Sequence, residues 1–94
     1  MQDDRILTMH PSGKQGVNIM KDKYDFIKKF ILDSIRDAGE MTFSDLGDKA
    51  VDDLTASFDG KVLWFITTVK LDLEARNLIE RIPGKSPQCL RLKG

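Results

Sequence analysis

Residues 71–92 read LDLEARNLIERIPGKSPQCLRL, and no other stretch limits the chain's folding options so much. Apolar positions spaced by three and four run out at Asn77, a residue able to take the left-handed conformation that ends helices. LIERI and CLRL then alternate apolar with polar residues, as strands buried on one face do. Pro83 and Pro87 lie in the PGKSPQ between them. Proline has no N–H to give to a ladder, so the two flank a turn instead of interrupting a strand. A helix feeding a two-stranded hairpin is therefore expected at this end.

Upstream, helical spacing recurs three times. Tyr24, Ile27, Ile31 and Ile35 predict a helix from Lys23 to Ala38, widened by Phe26, Phe30 and Leu32 and stopped by Gly39. So broad an apolar face suits a central helix contacted on two sides. Phe43, Leu46, Ala50, Leu54 and Phe58 form the next stripe, ending at Asp59-Gly60. Thr42 followed by Asp45 resembles a capping box at its start. Gly47 costs that helix about 1 kcal/mol relative to Ala, which a close helix crossing would explain. Val62, Ile66, Val69 and Leu73 mark a third helix from about Lys61 to Arg76. Ahead of all three, Ile6–Met9 and Val17–Met20 flank a Pro/Ser/Gly-rich turn, as a small hairpin or extended arm would. Gly13 and Gly16 there lack the spacing and the following helix of a phosphate loop.

The order predicts an α+β chain: three helices with a C-terminal β-hairpin, preceded by an N-terminal arm or short hairpin. The arm is expected over residues 1–22 and the main domain over residues 23–94, all in one compact unit. No apolar run approaches the roughly 18 residues that cross a bilayer, so no membrane partner is expected. Acids stand in MQDDRILTMHPSGK where a secretion signal needs bases, which makes the expected location cytoplasmic. Cys89 is the single cysteine, excluding intrachain disulfides and multi-cysteine metal sites.

Fifteen bases balance fifteen acids, which argues against strong nonspecific polyanion binding. The charges are nonetheless segregated. Asp45, Asp48, Asp52, Asp53 and Asp59 face Lys49 alone within residues 44–59, a net of −4. Residues 61–94 hold seven bases against Asp72, Glu74 and Glu80, a net of +4. Any attraction for phosphate belongs to the last third.

The junction Leu73-Glu-Ala-Arg-Asn-Leu-Ile-Glu-Arg81 resembles that of winged helix-turn-helix domains, in which a core Leu precedes the helix-ending residue and "LI" opens the wing. The resemblance spans roughly Tyr24 to Leu92. HPSGKQGVNI, MTFSDL, VKLDLEARNLIER and SPQCLRL are also similar to a small bacterial family of uncharacterised winged-helix-like proteins. The first resemblance implies a DNA-binding, transcription-regulator-like protein with the third helix in the major groove and the wing turn on the backbone or minor groove. Lys61 and Lys85 stand where phosphate contacts are then expected, with Thr67, Thr68, Lys70 and Ser86 completing the DNA-facing set. Double-stranded DNA is the implied partner.

The third helix's own residues open alternatives. Advancing 100° per residue from an inward Val62 keeps Ile66, Val69 and Leu73 within ~40° of it. The outward face is Trp64, Thr67 and Leu71, with Leu63 and Thr68 at its margins and Lys70 at the edge. Groove-reading helices usually offer Arg, Asn, Gln or Lys to bases. The stripe reads in three ways: as core covered by the arm through Ile6, Leu7, Val17 and Ile19; as an interface for a second copy or another protein, anchored by Leu63, Trp64 and Leu71; or as a surface on DNA. Other candidates are weaker. Gly84-Lys-Ser86 lacks the upstream glycine of a nucleotide loop, since Ile79 stands there. His10 has no second ligand at metal spacing. Asp52 and Asp53 point about 100° apart. Cys89 has no base beside it. Arg76, Arg81, Arg91 and Lys93 read equally well as a basic strip or as ordinary strand-edge charges. No catalytic, metal or cofactor set assembles, so no enzyme, metal or cofactor is expected.

Overall fold

The computed structural model describes residues 4–84 and 86–93. Two strands come first, β1 (Arg5–Leu7) and β2 (Asn18–Met20), paired antiparallel with Ile6 opposite Ile19. They are followed by α1 (Lys21–Ala38), β3 (Glu40–Thr42), α2 (Phe43–Leu54), α3 (Val62–Ala75), β4 (Ile79–Arg81) and β5 (Cys89–Leu92). The second sheet is antiparallel in the order β3-β5-β4, with Met41 opposite Leu90 and Arg81 opposite the same residue on the other side.

The N-terminal hairpin turns through Gly13, whose φ of +77° and N–H to the His10 carbonyl at 3.0 Å close the loop. Gly16 has a stricter role. A Cβ there would lie 1.7 Å from the Thr8 carbonyl oxygen, so only glycine lets the two strands approach this closely. The Thr8 N–H then donates to the Val17 carbonyl at 2.8 Å, and the Thr8 hydroxyl accepts the Val17 N–H at 2.9 Å.

The α1 stripe is fully inward: Ile27, Ile31 and Ile35 have no solvent exposure. The helix begins two residues earlier than its periodicity suggests, directly from β2. Gly39, at φ +81°, ends it as expected. The chain then enters a strand that Glu-Met-Thr does not announce. β3 exists because Met41 can bury one face against the sheet while its backbone pairs with β5. Thr42 closes that strand and caps α2, its hydroxyl accepting the Asp45 N–H at 2.9 Å.

α2 is shorter than its stripe. It stops at Leu54, and Thr55–Ser57 form a turn before Phe58. Phe58 leaves the helical path to stack on Phe26 at 5.8 Å and meet Phe65 edge-on at 5.0 Å, an aromatic cluster that outweighs one more helical turn. At the end of α3, Asn77 adopts φ +64°. The Leu78 N–H reaches the Leu73 carbonyl at 2.9 Å and the Asn77 N–H reaches that of Glu74 at 3.1 Å. These two bonds are the paired closure of a Schellman cap, and they aim Ile79 back at the core. Ile19, Leu46, Ala50, Ile66, Val69, Leu73, Ile79 and Leu90 join the α1 isoleucines in one cluster. The N-terminal hairpin is thus packed into the same core as the helices.

Candidate docking face on the third helix

Val62, Ile66, Val69 and Leu73 carry α3 onto the core and are all buried. The opposite side is apolar and open. Leu63 is 54% exposed and Trp64 45%, with Thr67 exposed beside them. Thr68 and Leu71 are half-buried, because the hairpin loop approaches that end of the face. A cleft of about 130 Å³ separates them from Thr8, Gly16 and Val17, and Trp64 forms part of its wall.

The arm therefore does not cover this stripe as core. Strand alternation turns Ile6 and Ile19 inward, where Ile19 is buried, and leaves Leu7 61% exposed, while Val17, just before β2, is 38% exposed. Val17 reaches the cleft that Trp64 helps to wall, yet Trp64 stays 45% exposed.

On the other flank of α3 lies a groove of about 450 Å³ walled by the start of α2 and the end of the β4–β5 turn. Phe43, Gly47, Leu63 and Pro87 form its apolar lining, and Ser44, Asp48, Thr67 and Gln88 its polar one. Gly47 makes the wall thin. A Cβ there would sit 3.3 Å from Leu63 Cδ2, so the two helices pass closely where the glycine suggested a crossing.

Lys70 corrects one expectation. It lies about 80° from the inward axis on a helical wheel, yet it is only 3% exposed. Phe43 packs over it, with Nζ 5.0 Å from the ring centroid, and Glu74 Oε2 lies 3.2 Å away. Burial pulls its ammonium below the ordinary range, and the Glu74 charge offsets part of that shift. A cation sealed in this way is not a phosphate contact. Lys61 is exposed at the start of α3 and Ser86 is exposed in the β4–β5 turn. Lys85 lies outside the described residues. Of the DNA-facing set, Thr67 is the one that shares a groove with the turn; Thr68 faces the hairpin on the other flank.

The most connected polar group was not among the candidates. Asp72 has no exposure and gathers three elements. Arg76 Nε donates to both its oxygens at 2.9 Å, the Met9 N–H donates to Oδ1 at 2.8 Å, and the Tyr24 hydroxyl donates to Oδ2. Burial, then the bond to Asp72, pushes the Tyr24 phenol well above its usual range. Asp72 holds Arg76 protonated still more firmly than usual. Its sequence signal was the i,i+4 pairing of Asp72 with Arg76 at the margin of the inward face. Glu74 is a second such centre, bonded to Arg81 Nε at 2.8 Å as well as facing Lys70. Both clamps hold the last turns of α3, not its outward face.

His10 stays in the loop, where Nδ1 meets the Ser12 N–H at 3.2 Å and the Ser12 hydroxyl at 2.8 Å. Cys89 is half-buried in β5. No helix among the described residues is long and apolar enough to cross a membrane.

Fold and face together define a small α+β protein with, among the described residues, three helices and two antiparallel sheets, and an apolar helix face left open. The chain belongs to the Family of unknown function (DUF6958), which matches residues 5–90. No curated protein and no solved structure matches it.

Proposed function

We propose that this chain is a winged-helix protein whose third helix docks another protein through its outward face. Support for the winged-helix reading is the junction at Leu73–Arg81 together with the element order: three helices, a C-terminal hairpin, and β3 completing the sheet beside β5. The observation that carries the docking role is the exposure of Leu63 and Trp64 between two grooves. A large aromatic and a leucine held side by side in water are unfavourable alone and are typical anchors of a protein contact.

Duplex DNA is the second reading, favoured by the exposed Lys61 at the helix start and by the net positive last third. It is the weaker of the two. α3 turns leucine and tryptophan outward where base readout needs hydrogen-bonding side chains, and its lysine is sealed beneath Phe43. The acidic α2 would also lie near phosphates.

The two readings separate in one set of measurements. The immobilised chain should retain proteins from nuclease-treated extract of its source cell, and Trp64→Ala should lose them while melting within about 2 °C of the parent. Labelled duplex DNA should give no mobility shift at low salt, where electrostatic attraction is greatest. A salt-dependent shift reduced by Lys61→Ala, with protein retention unaffected by Trp64→Ala, would transfer the assignment to DNA.

A further inference from the structure

We propose that the groove between α2, α3 and the β4–β5 turn receives a segment of a partner protein carrying an apolar anchor flanked by lysine or arginine. The proposal gives the docking face of α3 a specific occupant and rests on that reading. Phe43, Gly47, Leu63 and Pro87 provide an apolar trough of about 450 Å³, room for one large side chain and part of another. Trp64 stands immediately beyond Leu63 on α3, so a segment leaving the trough would run onto the exposed indole.

The charge of the occupant is dictated by α2. Asp45, Asp48 and Asp52 fall within about 60° of one another at 100° per residue, one acidic row along the exposed helix surface. Asp48 is itself part of the groove. None of the three has an ion-pair partner among the described residues, whereas neighbouring Asp53 is satisfied by Lys49 at 3.0 Å. Among the described residues no base lines the groove. Three adjacent unpaired carboxylates repel one another, and a basic segment relieves that repulsion on arrival. The same row disfavours nucleic acid and acidic peptides.

One polar atom in the wall also lacks a partner. Gln88 Oε1 is shielded from solvent with no donor among the described residues. Rotation of that carboxamide toward the trough would let it accept an N–H from the occupant, a partner that none of the described residues supplies.

The test uses two synthetic amphipathic peptides of identical leucine pattern, one with lysine and one with glutamate at the polar positions. Each is titrated into the isotope-labelled full chain, with methyl and side-chain amide shifts followed by NMR. The lysine peptide is expected to move the Leu63 and Thr67 methyls and the Gln88 amide, and to bind at least about tenfold more tightly than the glutamate peptide. The triple variant Asp45→Asn, Asp48→Asn, Asp52→Asn should erase that preference. Gly47→Ala, whose Cβ would press on Leu63 Cδ2 at 3.3 Å, should weaken binding by narrowing the trough, with its folding confirmed by an unchanged circular dichroism spectrum. Equal binding of the two peptides, or no perturbation of Leu63, Thr67 and Gln88, overturns the groove assignment. Shifts confined to Trp64, Thr68 and Leu71 would sink it while leaving α3 as the docking face. Loss of retention by Trp64→Ala in the extract experiment tests that wider reading separately.

Discussion

Asp72 shows how much one buried carboxylate can organise. It accepts from the Met9 backbone, from Tyr24 on α1 and from Arg76 one turn along α3, so it ties hairpin and helices at a single point. A buried charge is tolerable only while its partners remain. Asp72→Asn should therefore cost about 3 kcal/mol in urea unfolding, near the lower end for breaking a buried pair. Tyr24 makes the same centre visible spectroscopically, since it is the only tyrosine. Its phenol is raised above the ordinary value of 10.0, so the folded state holds that proton more tightly than the unfolded one. Stability from this source is complete below pH 10 and declines as pH rises beyond it. Tyrosinate absorbance should accordingly appear above the ordinary range and coincide with loss of helical circular dichroism. Tyr24→Phe should remove the steep alkaline part of that decline. Titration of native protein near pH 10 with no unfolding would contradict the buried bond.

At the scale of elements, the termini of the helices were the most readable features. Thr42 caps α2 through its hydroxyl and Asn77 closes α3 through its left-handed backbone, each acting within a few positions of itself. Thr42→Ala should lower stability by about 1 kcal/mol. Asn77→Val, a branched side chain forced to φ +64°, should cost about 1–2 kcal/mol, while Asn77→Gly should melt at or above the parent temperature. Chemical denaturation of the three variants checks all of this. The misses lie where distant residues decide. Three residues with little strand character became β3 because β5, about fifty positions later, offered an edge. The periodicity of α2 continued through Phe58, yet Phe26 and Phe65 drew that ring out of register. Lys70 sat at a polar angle of its helix and was walled in by Phe43 from another.

For the whole molecule, the N-terminal hairpin is the decisive packing partner. Ile19 is 5% exposed and packs in the common core, so the hairpin is part of the fold's stability. Ile19→Ala should lower the unfolding free energy by about 2–4 kcal/mol and do so in a single cooperative transition seen equally by tryptophan fluorescence and circular dichroism. A separate early transition for the hairpin would show that it docks as an independent piece. The amino-acid order alone determined the three helices, the C-terminal hairpin, the Thr42 and Asn77 caps and the segregation of charge, while the N-terminal segment read equally as a hairpin or an extended arm. Each depends on spacing or on chemistry within a few positions, where periodicity and backbone preference act directly. Only the tertiary structure decided that Trp64 stays open, that Lys70 is sealed, that Asp72 is a hub and that a groove forms beside Leu63. Exposure is set by which distant surface arrives: Ile19 packs into the common core, and the hairpin loop reaches only the Thr68 and Leu71 end of the α3 face.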